Sequence, residues 1–309
     1  MNLSLFDLHC DTACEMYTQK QPFAKNNLAI SLESTEKFEQ YIQVMAFWTD
    51  RRLDDETGWG RMKALRKNLL SDLSVQSGDA VCTTVCPPRG AKPSLFFGIE
   101  DARIFADRIE RVDEAYQLGV RILTPLWAGV TCIGGSHDTN VGLTDFGKCA
   151  ITRAVKLGMI PDISHASIRS ADEIFEIAVQ LGCPVIASHS NASTVCPVSR
   201  NLTDAQIAKI LASDGVIGLN LYTAFLCKDG NAHLSDLIPH IEYFLEHGAE
   251  HALCFGGDWD GAELPSELRT IADITQIAEL LLARNYSESF VRNLFFENAY
   301  AFCKRYLSA

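Results

Sequence analysis

The sequence predicts an α/β protein, a single (β/α)8 (TIM) barrel spanning residues 1–309 with closing helices at its C-terminal end. Three observations carry that reading. A helix-like segment that ends in glycine and runs straight into an apolar strand recurs in AYQLGVRILTPLW, AVKLGMIPDISH, AVQLGCPVIASHS and FLEHGAEHALCFGGDWD. Glycine there is the residue that accepts the left-handed turn after the last helical residue. The strands are short and continuously apolar, as strands buried on both faces of a parallel sheet must be. Eight such strands fit into 309 residues with no linker between them, which is the count of a closed barrel. A doubly wound open sheet is the competing architecture. It would place a glycine-rich phosphate loop after the first strand, and FDLHCDT is not one.

Taken in order, the first strand lies near 4–9 and the second near 41–48. Residues 50–92 form a long excursion: a charged helix over about 57–72, then the irregular stretch SVQSGDAVCTTVCPPRGAK, with room for a small extra hairpin. Strands three and four fall near 94–100 and 119–126. A glycine-rich loop, AGVTCIGGSHDTNVGL, follows at 128–143, and loops of this length in compact domains are often functional. Strands five to eight lie near 159–164, 184–189, 215–221 and 252–257. Ser170–Glu173 and Thr203–Gln206 read as capping boxes that start helices. The last 40 or so residues read as two helices that close the barrel.

Composition narrows the function. The net charge of −12 repels phosphate backbones and argues against nucleic acid. No basic run or basic amphipathic helix suggests a membrane surface. The start has no Lys or Arg before Asp7, so it does not read as a signal peptide, and no apolar stretch approaches the ~18 residues that span a bilayer. A cytoplasmic protein is expected. Eleven scattered cysteines read as reduced thiols rather than a disulfide framework. Cys82 and Cys86 lack the second pair of a zinc finger. Cys10 and Cys254 lie close to the expected site and would make it sensitive to oxidation.

The polar residues gather at strand ends. Strand one ends in His9 and Asp11, strand three in Glu100, strand five in His165, strand six in His189 and strand eight in Asp258. These are the C-terminal ends, where barrels carry their active sites. Residues two apart on a strand point the same way, so His9 and Asp11 can face one centre. Asp7 shares that parity, and Asp260 follows Asp258 at the same spacing. Three imidazoles and several carboxylates converging on one mouth would be costly without a cation. Two zinc ions resolve the conflict: His9 and Asp11 on one, His165 and His189 on the other, and Glu100 bridging both. Such a pair activates water at neutral pH and polarises a carbonyl. The remaining histidines, His137, His233, His240, His247 and His251, read as surface or loop residues.

With these residues placed, the chain resembles the membrane (renal) dipeptidase family, a binuclear-zinc branch of the amidohydrolase barrels, over essentially its whole length. DLHCDT is similar to the family's first-strand metal motif, GIE to its bridging glutamate, DISHAS and ASHSNA to its two histidine motifs, and GGDWDG to its last-strand acid. VCPVSRNL resembles the stretch bearing a substrate-binding arginine, which falls on Arg200, and GLNLY the strand-seven motif bearing a tyrosine, which falls on Tyr222. The resemblance implies a dizinc dipeptidase that cleaves small dipeptides, L-D dipeptides among them. Asp258 would act as general base and then general acid with the Glu100-bridged metals. Arg200 would hold the substrate carboxylate, with Tyr222 adding a hydrogen bond.

The chain departs from the family's pattern in three places. The histidine expected after strand four is replaced by Trp127 in RILTPLW, which puts Trp127 at the substrate and leaves His137 as the nearby substitute. Asp101-Ala102 stands where two glycines are usual. No leader or anchor tail is read, so the expected partner is a small dipeptide rather than a membrane, with a homodimer as the expected assembly. The competing functions are another amidohydrolase acting on an N-acyl amino acid or lactone, and a metal-bound binding protein without turnover.

Overall fold

A computed structural model describes residues 2–75 and 80–308. Seven strands run parallel in one curled sheet: Leu5–Cys10, Tyr41–Trp48, Ser94–Glu100, Val120–Thr124, Ile160–Pro161, Ile217–Leu219 and Leu253–Phe255. Along the sheet the fifth strand pairs with the fourth, then the third, second and first follow, and the first pairs with Leu253–Phe255. Parallel bridges Asp162–Ile186 and Ala187–Ile217 insert the sixth position and close the ring. All eight expected strands therefore occupy barrel positions. Several are shorter than expected; the stretch near 159–164 is regular only over Ile160–Pro161.

Helices alternate with the strands. Asp55–Val75 is the expected charged helix. The extra strand beyond it, Val81–Cys82, pairs parallel to Ser94–Leu95, so among the described residues it forms no hairpin; the part of the irregular stretch at 76–79 lies outside the described residues. Thr203 caps Asp204–Ala212 in a capping box with Gln206, as expected. Ser170 does not start a helix. Ser167 does, accepting the Ser170 N–H at 3.0 Å, and the helix runs over Ile168–Gln180. Ser170 instead donates to the Gly135 carbonyl at 2.8 Å. Gly158 and Gly182 take up φ of 97° and 66° behind their helices, the conformation the recurring glycines predict.

Two apolar layers form. The outer one packs strands against helices; Leu5, Cys10, Met45 and Phe97 belong to it. The inner one fills the barrel. Phe6 and Phe96 stack there with ring centroids 6.2 Å apart, although their strands are separated by the second. The helix Asn298–Tyr306 covers the lower opening, adding Phe302 and Cys303 to the inner layer. No helix of the described residues is long and apolar enough to cross a membrane.

Candidate active site

The first strand does not keep its alternation. Asp7 pairs with Gln43 but Cys10 with Met45, so one extra residue is inserted between them. Phe6 and Leu8 belong to the inner layer, and Cys10 returns to the outer one. Bulges re-aim side chains next to active sites, and this one turns both His9 and Asp11 toward the mouth. Asp7 consequently does not share the direction of His9. It is fully buried and accepts from the N–H groups of His9 at 3.0 Å and Gly257 at 2.9 Å and from the Gln43 amide at 2.9 Å. It fastens the first strand to the last.

Glu100 ends the third strand, 3% exposed. Its Oε1 lies 2.8 Å from His165 Nε2 and 3.6 Å from His189 Nε2, and its Oε2 lies 3.5 Å from His9 Nε2. His9 Nε2 is also 3.5 Å from Asp11 Oδ2 and 3.8 Å from Asp258 Oδ1. The five expected ligands and Asp258 thus meet at one point. The structure sorts them into overlapping groups able to hold a cation: His9, Asp11 and Glu100; Glu100, His165 and His189; and His9, His189 and Asp258.

The hydrogen bonds decide which nitrogens are free. His165 Nδ1 lies 3.0 Å from the Trp127 carbonyl, an acceptor only, so Nδ1 carries the proton. Ser188 donates to Asp162 at 2.5 Å and lies 2.6 Å from His189 Nδ1, which places that proton on Nδ1 as well. Asp162 also takes the hydroxyls of Thr124 and Ser164, both at 2.6 Å, and so binds the ends of strands four, five and six together. The two Nε2 atoms then face each other at 3.0 Å with lone pairs only. Burial, with Arg200 and neighbouring imidazoles adding to it, pushes both histidines below the usual value and keeps them neutral. His9 goes the other way: burial opposes its charge, but Glu100, Asp11 and Asp258 raise it to about 10. Burial raises Glu100 and Asp258, with Asp11 adding to it. His9 Nε2 and Asp11 Oδ1 are buried without a hydrogen-bond partner. Opposed lone pairs, unpartnered buried polar atoms and crowded carboxylates are what a site for divalent cations looks like, and orienting partners behind each histidine are usual there.

Around this centre lies a cavity of about 620 Å³, lined among others by Trp48, Trp127, His137, Tyr222 and Phe225, large enough for a dipeptide. Asp258 also lines it. Its backbone is left-handed at φ 60°, and the Asn220 amide holds its Oδ2 at 3.0 Å. The preceding glycines allow the close approach: a Cβ on Gly256 would sit 1.7 Å from the Ser188 carbonyl. Asp260, by contrast, accepts from Thr12 at 2.6 Å and the Ala29 N–H at 2.7 Å and ties down the 28–30 loop. Tyr222 packs edge-on against Phe225 at 4.7 Å. Trp127 meets Trp48 edge-on at 5.2 Å. Arg200 is 3% exposed over Phe225, donating to Ser190 Oγ at 2.8 Å and the His189 carbonyl at 2.9 Å; its Nε is unpartnered.

Two histidines differ from the surface reading. His137 lines the cavity, its Nδ1 2.9 Å from Ser199 Oγ and its ring 6.0 Å from that of His165. His240 is fully buried, taking the Ala192 N–H and bonding the Leu226 carbonyl, each at 3.1 Å; it is structural. Cys10 and Cys254 are sealed at 0% exposure with thiols pushed far up by burial, so they offer no reactive thiolate to an oxidant. Asp101, after Glu100, is left-handed at φ 68° and sealed against Arg103 Nε at 3.2 Å. Sequence reasoning missed Asp162, Ser188 and Asn220, although each lies inside or beside a motif it singled out.

The family model of the membrane dipeptidases, peptidase family M19, matches residues 75–305; the first-strand motif lies before that span. An uncharacterised protein encoded in the 5′ region of pqqA in Klebsiella pneumoniae is 33% identical over 212 residues, covering 65% of this chain and 77% of that one. A solved metallopeptidase, dipeptidase AC, superposes with a TM-score of 0.92 at 23% identity, over 100% of both chains. A metallopeptidase from Rhodobacter sphaeroides, solved with a phosphinate mimic of the dipeptide L-Ala-D-Ala, gives a TM-score of 0.91 at 22% identity, over 99% of this chain and 100% of that one.

Proposed function

The chain belongs to the membrane dipeptidase family, and from that premise we propose that it is a dizinc dipeptidase, one barrel domain hydrolysing small dipeptides, L-D dipeptides included. The observation that carries this is the buried centre where Glu100 turns one oxygen to His9 and the other to His165 and His189. His9, Asp11 and Glu100 would hold one zinc, and Glu100, His165 and His189 the other. Zinc bound there supplies Lewis acidity and water of lowered pKa.

The chain's own groups supply the rest. Asp258, steadied by Asn220, takes a proton from the attacking water and passes it to the leaving amine. Arg200 retains N–H groups beyond those given to Ser190 and His189, and these would meet the substrate carboxylate. Trp127 has no imidazole to offer where the family has a histidine; its carbonyl orients His165, and its ring walls the cavity. His137, with Nδ1 engaged by Ser199, has Nε2 left to donate to the substrate carbonyl. Burial lowers its pKa, so it would do so as a neutral imidazole.

The test is release of free amino acids from a panel of L-L and L-D dipeptides by the zinc-loaded protein, beside N-acyl amino acids and lactones. Turnover confined to dipeptides supports the reading. Turnover confined to the other substrates, or none with zinc bound, overturns it. A His137→Ala loss of kcat of about tenfold or more, with KM nearly unchanged, is expected if His137 acts on the developing charge.

A further inference from the structure

We infer that Cys86 and Cys303 are a modification site: a thiol pair at the closed end of the barrel that low-molecular-weight disulfides convert reversibly into a disulfide, stapling the final helix to the segment before strand three. The two thiols lie close enough to influence each other, and the Cys86 Sγ also reaches the Pro87 carbonyl at 3.8 Å. Their backbones are held in register through Leu307, whose N–H donates to the Cys303 carbonyl at 2.8 Å and whose carbonyl takes the Cys86 N–H at 2.7 Å. The flanks are fastened too. Tyr300 donates its hydroxyl to the Pro87 carbonyl at 3.0 Å. Arg89 pairs with Glu297, one nitrogen at 2.9 Å and the other at 2.5 Å, and lies 4.7 Å over the Tyr300 ring. The thiols are therefore kept close together by the fold.

Their environments assign them different parts. Cys86 is half-buried. Cys303 beside it, with Lys304 and Arg89 nearby, holds its thiol below the usual value. A thiolate-prone, reachable sulfur is the one that attacks. Cys303 is 1% exposed in the inner apolar layer, and its neighbour Cys86, with burial, pushes its thiol up. In the exchange, the Cys86 thiolate attacks one sulfur of the small disulfide RSSR, giving a Cys86–S–SR mixed disulfide and releasing RS⁻. Cys303 loses its proton, attacks the Cys86 sulfur and releases the second RS⁻. The net change is two protein thiols plus RSSR to one protein disulfide plus two RSH. The buried thiols of Cys14, Cys254 and Cys10 have no neighbouring thiol of this kind, the first two turning to backbone carbonyls and Cys10 to Met45, and Cys149 is exposed. Cys82, the nearest in sequence, is pushed up to about 12 by burial.

The test treats the native, zinc-loaded chain with 2-hydroxyethyl disulfide, followed by alkylation, proteolysis and mass spectrometry with fragmentation to separate Cys86 from Cys82. Expected are a linked Cys86–Cys303 peptide, reversal by dithiothreitol, and a thermal midpoint raised by roughly 5 °C. Cys303→Ser should stop at a mixed disulfide on Cys86, and Cys86→Ser should form no linked peptide, while exposed Cys149 takes up the reagent in every variant. A stable mixed disulfide on Cys86 in the unmutated chain, or a linkage of Cys86 to Cys82, would overturn the pairing. A linked peptide with an unmoved midpoint would overturn the staple.

Discussion

The two ends of this barrel are built from the same strands and solve opposite problems. At the lower end, strand residues such as Phe6, Ile42, Phe96 and Ile186 meet one another and the final helix in a dry layer. Apolar contacts dominate there, and the gain is stability. Three or four residues further along the same strands, His9 and Glu100 are buried just as deeply, yet this end leaves polar atoms unpartnered and lone pairs opposed. Left-handed backbone at Asp101, Asp258 and Asp260 marks the same end. Strain and unsatisfied groups collect where function is, and the rest of the fold must hold them.

If the ends are as separate as this, mutations should split cleanly between activity and stability. Asp258→Asn keeps the shape and the Asn220 contact and should cost kcat about 10²- to 10⁴-fold, with a thermal midpoint near that of the parent; dipeptide kinetics beside calorimetry would show it. A large fall in midpoint would mean that the acid is a structural member of the mouth. Phe96→Ala empties part of the inner layer and should cost about 3–5 kcal/mol in denaturant unfolding. The protein that remains folded should bind zinc as before. Loss of zinc at temperatures where it is still folded would mean that the ends are coupled. The smallest effect belongs to neither end: Thr203→Ala removes the cap that accepts the Gln206 N–H and should cost about 1 kcal/mol, with kcat and KM unchanged.

The sequence disclosed the barrel because a strand buried on both faces leaves an unbroken apolar run, and a helix stop leaves a glycine. It disclosed the residues at the mouth because polar groups at the ends of such runs have few structural excuses. It could not disclose the bulge that separates Asp7 from His9, since an inserted residue shows only against the neighbouring strand. Asp162 and Asn220 were hidden for a related reason: their partners, Thr124 and Ser188 for one and Asp258 for the other, come from other strands. His240 was legible and misread. It continues the buried face of Leu237, Ile241 and Phe244, a helical spacing that points inward. Ser170 carries the full capping-box spacing to Glu173 and Ser167 does not, so the sequence favours Ser170, yet the helix starts at Ser167.

The central claim is that the mouth is a two-cation centre bridged by Glu100. Equilibrium dialysis against zinc with metal analysis of the dialysed protein tests it most directly, on the parent chain and on Glu100→Gln, which keeps the size and removes the charge. Two zinc per chain in the parent, and one or none after the substitution, is the predicted result. A parent that holds fewer than two, or a Glu100→Gln chain that still holds both with unchanged affinity, would contradict the account.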